Sequence, residues 1–169
     1  FSYKWEHEDE THVVSQIDFP TAFKKDKHDD SRVMQSLWDL LDEADIVIGH
    51  NIRKFDVKSV NAFLIRNGMT APSPYQTVDT LVLARSNFGF NSNSLKDLAI
   101  TLGLPVQKGS AGGFETWLGC MEGDADSWDQ MIKYAKIDTE LLPILYKRLR
   151  PFCKGLPSLN FIDPHGCPV

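Results

Sequence analysis

The sequence predicts one α/β domain, and three observations predict it. A short β-branched run, Ile46-Val47-Ile48, breaks at Gly49 and leads into residues at helical spacing, Phe55, Val60, Phe63 and Leu64. This reads as a covered strand that turns into a helix and delivers Asp56 onto its first turn. A second strand signal ends at Asp79 and gives way to another helix, and a long helical segment runs from about Asp124 to Leu149. Strand signals that alternate with helix signals mark an α/β chain.

Each element can be read in order. Phe1 to Trp5 alternates as a strand does, Glu6 to Glu10 is an acidic solvated turn, and Thr11 to Ile17 returns as a second strand, so the chain opens on a hairpin. A charged loop through Lys24, Lys25 and Lys27 precedes a helix from about Asp29 to Ala44, with Val33, Leu37, Leu40 and Leu41 on one face. The helix after Gly49 stops at Asn67-Gly68, and Pro72 and Pro74 keep the chain extended before the strand at Tyr75 to Thr80. Thr80 to Arg85 begins a helix, with Asp79 as its N-cap; residues 86–94 form a loop, and Leu95 to Leu102 is a helix stopped by Gly103. Lys108 to Gly113 reads as a flexible glycine-rich stretch. The last helix carries a stripe of Met131, Ala135, Asp138, Leu142, Leu145 and Leu149, with a bend expected at Pro143.

Bulk properties exclude several classes. At 169 residues, with 42% hydrophobic and 24% charged residues, the chain is one soluble domain's worth. Such a length buries about 70% of the unfolded surface without a disulfide or metal staple. No apolar run approaches the roughly 20 residues of a membrane span, so no membrane partner is expected. Three widely spaced cysteines, Cys120, Cys153 and Cys167, make no disulfide framework and suit a reducing cytoplasm. A net charge of -5 argues against a broad duplex binder but leaves room for an enzyme that grips a few nucleotides around acids. The chain lacks an initiator methionine and stops at Cys167-Pro168-Val169, so it is expected to be a fragment.

The chemistry concentrates in carboxylates. Asp138 interrupts an otherwise apolar seam, where an ionised acid needs a cationic partner. Asp56 stands at a strand end and helix N-terminus, where an acid also complements the helix dipole. Oxygen ligands of this kind suit Mg²⁺ or Mn²⁺.

Asn51-x-x-x-Phe55-Asp56 after an apolar strand, and Tyr134-x-x-x-Asp138 on a late helix, resemble the second and third motifs of the DEDD superfamily of 3'-5' exonucleases. The resemblance implies a ribonuclease-H-like fold, a mixed central sheet flanked by helices. Tyr134 points to the DEDDy branch; the other branch has a histidine five positions before the last aspartate, where Lys133 stands here. The segments Thr77-Val78-Asp79-Thr80 and Ser94 to Gly103 recur in the family's order, so the resemblance covers residues 1–150, with 151–169 an irregular tail. The family's first motif, Asp-x-Glu on its first strand, is absent, and Phe1 resembles the start of the second strand. Asp138-Thr139-Glu140 is no substitute, because residues two apart on a helix point about 200° apart. The first strand is therefore expected to be missing from this chain.

By that resemblance, the complete enzyme would use two metal ions, Mg²⁺ or Mn²⁺, about 4 Å apart. Asp138 would ligate the first ion and Asp56 the second, Tyr134 would orient the attacking water, and Asn51 would help place the terminal nucleotide. Arg53, Lys54 and Lys58 either meet phosphates or are simply solvated; Phe55 reads as core. Phe88 and Phe90 either contact single strands or anchor their loop, and Cys167-Pro168 resembles the start of a zinc knuckle. The implied function is a 3'-5' exonuclease on DNA 3' ends, single-stranded or frayed, in phage or bacterial replication or repair, with replication proteins as partners. An exoribonuclease, and a catalytically silent nucleic-acid-binding or polymerase-associated module, are the alternatives.

Overall fold

The computed structural model describes residues 1–105 and 112–157. Most of the glycine-rich stretch and the Cys167 segment lie outside the described residues. The opening hairpin is present but short: β1 (Ser2–Tyr3) pairs antiparallel with β2 (His12–Val13). A 3-10 turn, Gln16–Asp18, is closed by Ser15 and Asp18, and leads into α1 (Pro20–Lys25). The sequence reading has a loop here; Pro20 sets the first φ of a helix and the lysines occupy its last turn.

The central unit follows. α2 (Ser31–Glu43) leads to β3 (Ile46–Gly49), then α3 (Asp56–Arg66), β4 (Gln76–Asp79) and α4 (Thr80–Asn87). β3 and β4 run parallel, with Ile46 opposite Gln76 and Gly49 opposite Asp79, so both strands end side by side. After α5 (Leu95–Thr101) come α6 (Phe114–Glu122) and α7 (Ala125–Leu149). Among the described residues the mixed sheet is present as two pairs, one antiparallel and one parallel. The fold is α/β, with helices packed around the paired strands.

α7 organises the packing, since β1, β2, α4, α5 and α6 all contact it. The Ser2 hydroxyl donates to the Ala135 carbonyl at 3.1 Å, which ties the hairpin to this helix. Gly119 of α6 lies so close to α7 that a Cβ there would come within 2.1 Å of the Ser127 hydroxyl oxygen. The core is Ala84, Leu98, Leu145 and Leu149. Phe88 and Phe90 stack with centroids 5.2 Å apart and pack against it, so they anchor their loop.

Three expectations about burial are corrected. The buried row of α7 is Leu141, Leu145 and Leu149, whereas Leu142 and Asp138 are only half-buried. The helix divides its surface between the core and β1, so no single seam takes every apolar residue. Ile46, Val47 and Ile48 are half-buried rather than covered; among the described residues β3 is paired along one edge. Phe55 is 66% exposed. It precedes the first turn of α3, off the face that carries Leu64, Val60 and Phe63.

Leu145→Ala is expected to destabilise the protein by about 2–5 kcal/mol in chemical denaturation, because its fully buried side chain leaves a cavity. Ile65→Ala, at a position 81% exposed, should change stability by no more than about 0.5 kcal/mol.

Candidate active site

The site is assembled where β3 and β4 end. Asp79 is 2% exposed, and its carboxylate accepts four backbone hydrogen bonds. Asn51 N (2.9 Å) and Arg53 N (3.2 Å) come from the turn after β3; Leu81 N (3.0 Å) and Val82 N (3.4 Å) come from the first turn of α4. The predicted N-cap role is correct, and it is half of what the side chain does. The turn is tight: a Cβ on Gly49 would sit 2.6 Å from that of Ile52, and Asn51 adopts φ +65°. Asparagine tolerates that left-handed conformation better than most residues.

Asp56 begins α3, with its negative charge at the positive end of the helix. Asp56 is exposed, yet desolvation by the surrounding turn raises its pKa above the ordinary carboxylate value, opposed by a backbone hydrogen bond and helped by the neighbouring Asp79. Asp138 is half-buried on α7, and burial raises its pKa too, opposed by a hydrogen bond from Tyr134 and by His50. Tyr134 lies one turn before it, and burial and the Asp138 carboxylate make its phenol harder to ionise. No lysine or arginine forms an ion pair with either acid among the described residues.

His50 is the residue that sequence reasoning missed. Its Nδ1 lies 2.9 Å from the Thr80 hydroxyl and its Nε2 3.0 Å from the Asn93 carbonyl oxygen. Burial lowers its pKa, against the Asn93 hydrogen bond and the charges of Asp79 and Asp138. The only available signal was its place directly after Gly49 at a strand end.

Electrostatic coupling thus links Asp56 to Asp79, Asp79 to His50, His50 to Asp138, and Asp138 to Tyr134. Asn51 joins the network through its backbone. Arg53 turns back onto β4, with Nε donating to Thr77 Oγ1 at 2.9 Å and Nη2 to the Thr77 carbonyl. Lys54 and Lys58 are exposed. Among the described residues no three His, Cys, Asp or Glu side chains converge as a metal cage. Asp56 and Asp138 therefore offer hard oxygen donors without closing a site. A cleft of about 290 Å³ lies elsewhere, lined by Thr11, His12, Ser15, Asp18 and Lys136 among others.

The sequence pattern of the RNase_H superfamily matches residues 5–150. The chain belongs to that superfamily. It is also similar to Protein NEN4 of Arabidopsis thaliana, at 39% identity over 62 residues, which is 36% of this chain and 24% of that protein. No solved structure matches.

Two outcomes are expected of the isolated protein. Asp79→Ala removes the acceptor for four backbone N–H groups, and should cost about 2–4 kcal/mol by urea unfolding. The pH dependence follows from Asp138, whose pKa is raised on folding. The folded chain then holds the proton more tightly than the unfolded chain. This contribution to stability is full below the unfolded pKa and is lost as pH rises through the folded one. In chelator, Asp138→Asn should match the parent in acid and exceed it at neutral pH, as read from thermal melts.

Proposed function

We propose that the chain is the nuclease domain of a DEDDy-type 3'-5' exonuclease that hydrolyses phosphodiester bonds at single-stranded or frayed DNA 3' ends. The observation that carries this reading is the Tyr134–Asp138 pair on α7, coupled through His50 to the turn after β3, in a chain of the RNase_H superfamily. Superfamily membership supports a nuclease; the exonuclease direction and the DNA preference rest on the resemblance carried by Asn51-x-x-x-Phe55-Asp56 and Tyr134-x-x-x-Asp138.

Mg²⁺ or Mn²⁺ is the cofactor the reading implies, and its chemistry would be activation of water and stabilisation of the departing oxygen. Asp56 and Asp138 are the acids of this chain that would help hold it. The uncompensated charge of both supports that role, and the absence of a third converging ligand among the described residues means that they would not suffice alone. Tyr134, hydrogen-bonded to Asp138, would orient water by its hydroxyl. Asn51 would present its side chain from the turn that Asp79 holds. Exposed Lys54 would meet phosphate; Arg53, bound to Thr77, would contribute charge more than a direct contact.

Replication or repair proteins in a phage or bacterium are the partners this reading suggests. Cys120 and Cys153 are free thiols, which supports a reducing cytoplasm. No helix among the described residues is long and apolar enough to cross a membrane.

With Mg²⁺ or Mn²⁺ and 3'-labelled oligonucleotides of matched DNA and RNA sequence, the full-length protein should release mononucleotides, faster from DNA. Asp138→Asn should abolish release, and Tyr134→Phe should slow it while metal binding is kept. Undiminished activity of Asp138→Asn would refute the assignment. Faster release from RNA would favour an exoribonuclease, and oligonucleotide binding without cleavage would favour a silent module.

A further inference from the structure

The imidazole of His50 joins three separate elements near the candidate acids. It leaves the end of β3, and its two nitrogens reach the first residue of α4 and the loop before α5. The roles of these nitrogens follow from their partners. The Asn93 carbonyl can only accept, so Nε2 carries a hydrogen. In the neutral ring Nδ1 then accepts from the Thr80 hydroxyl at 2.9 Å, which shares its one hydrogen between Nδ1 and the Gly49 carbonyl at 3.2 Å. Thr80 is fully buried, so its hydroxyl has no water to turn to.

The Asn93 end depends on this contact. The Asn93 Oδ1 is buried without a hydrogen-bond partner. Phe88 and Phe90 fasten the start of the loop to the core, and Ser92 and Ser94 fasten its far end to Asp97. Between them, the Asn93 carbonyl is held to the strand layer by His50. Asp79 holds the other side of the same strand end, through Asn51 and Arg53.

We propose that His50 is the positioning residue of the site, a two-sided clamp that keeps the 88–94 loop and the start of α4 in register with the turn carrying Asn51 and Asp56. The clamp rests on the geometry; its effect on substrate rests on the nuclease reading. His50 acts through Asn93 and Thr80, and it neither attacks nor protonates the substrate. On the nuclease reading the loop lies beside the bound strand, and the clamp sets strand affinity more than the chemical step.

Glutamine and asparagine separate the two contacts, because a Gln amide nitrogen can occupy the place of Nε2 whereas Asn reaches only that of Nδ1. In the full chain, His50→Asn and His50→Ala should speed amide hydrogen exchange across residues 92–95 by about fivefold, the effect of losing one hydrogen bond. His50→Gln should stay within about twofold of the parent. With Mg²⁺ and a single-stranded DNA oligonucleotide, His50→Asn should raise KM by a similar factor of about five and leave kcat within about twofold, and His50→Gln should restore KM. Where the Ala variant fails to fold, the Gln and Asn pair still decides.

Equal exchange in the Gln and Asn variants would overturn the clamp. Loosened exchange with an unchanged KM would overturn its role in substrate positioning. A parent protein that neither cuts nor binds the oligonucleotide would overturn the nuclease reading and the positioning role together, while the exchange comparison still decides whether the clamp exists.

Discussion

Four backbone N–H groups from two segments meet one carboxylate, that of Asp79, and the geometry of the strand ends depends on this meeting. A buried carboxylate is costly to desolvate unless its lone pairs are used. Here they are used, and every donor is a main-chain group that would otherwise lack a partner at a turn or helix start. An amide could not take this place without turning its own NH₂ towards some of the donors. The interaction therefore specifies an acid, and it fixes the turn after β3 against α4 with little help from packing, since β3 itself is only half covered.

The neighbouring acids are arranged differently. Asp79 is neutralised by dipoles, whereas exposed Asp56 and half-buried Asp138 carry carboxylates whose charge desolvation disfavours and that no lysine or arginine pairs with among the described residues. The fold thus keeps two acids under electrostatic tension at the edge of a network whose centre is fully satisfied. Such a division between a satisfied centre and acids without a cationic side chain at its rim supports the proposed role of Asp56 and Asp138 as cation ligands.

What the sequence made legible was local. Turn residues, caps and periodicity located α2, α3, β4, α4 and α7, and the N-cap of α4 at Asp79 needed only the neighbouring residues. Its second role was not legible, because Asn51 and Arg53 lie 28 and 26 positions away. His50 was missed for the same reason, its partners lying 30 and 43 positions along the chain. Helical spacing alone could not tell Leu141 from Leu142, since the choice depends on which neighbour each side of α7 meets. Phe55 was misread because an aromatic beside a strand looks like core, whereas its turn points it to solvent. Asp56, Tyr134 and Asp138 were chosen by spacing and resemblance, and the electrostatic links among them through Asp79 and His50 depend on tertiary neighbours.

Asn51 combines two demands that are usually spread over several residues. Its φ of +65° limits the residues that fit without strain to glycine, asparagine and aspartate. Within that alphabet of three, backbone shape stays constant while the side chain changes from nothing to an amide to a charge. The position is therefore a natural dial: the polarity presented beside Asp56 can be altered there in single steps without rebuilding the turn.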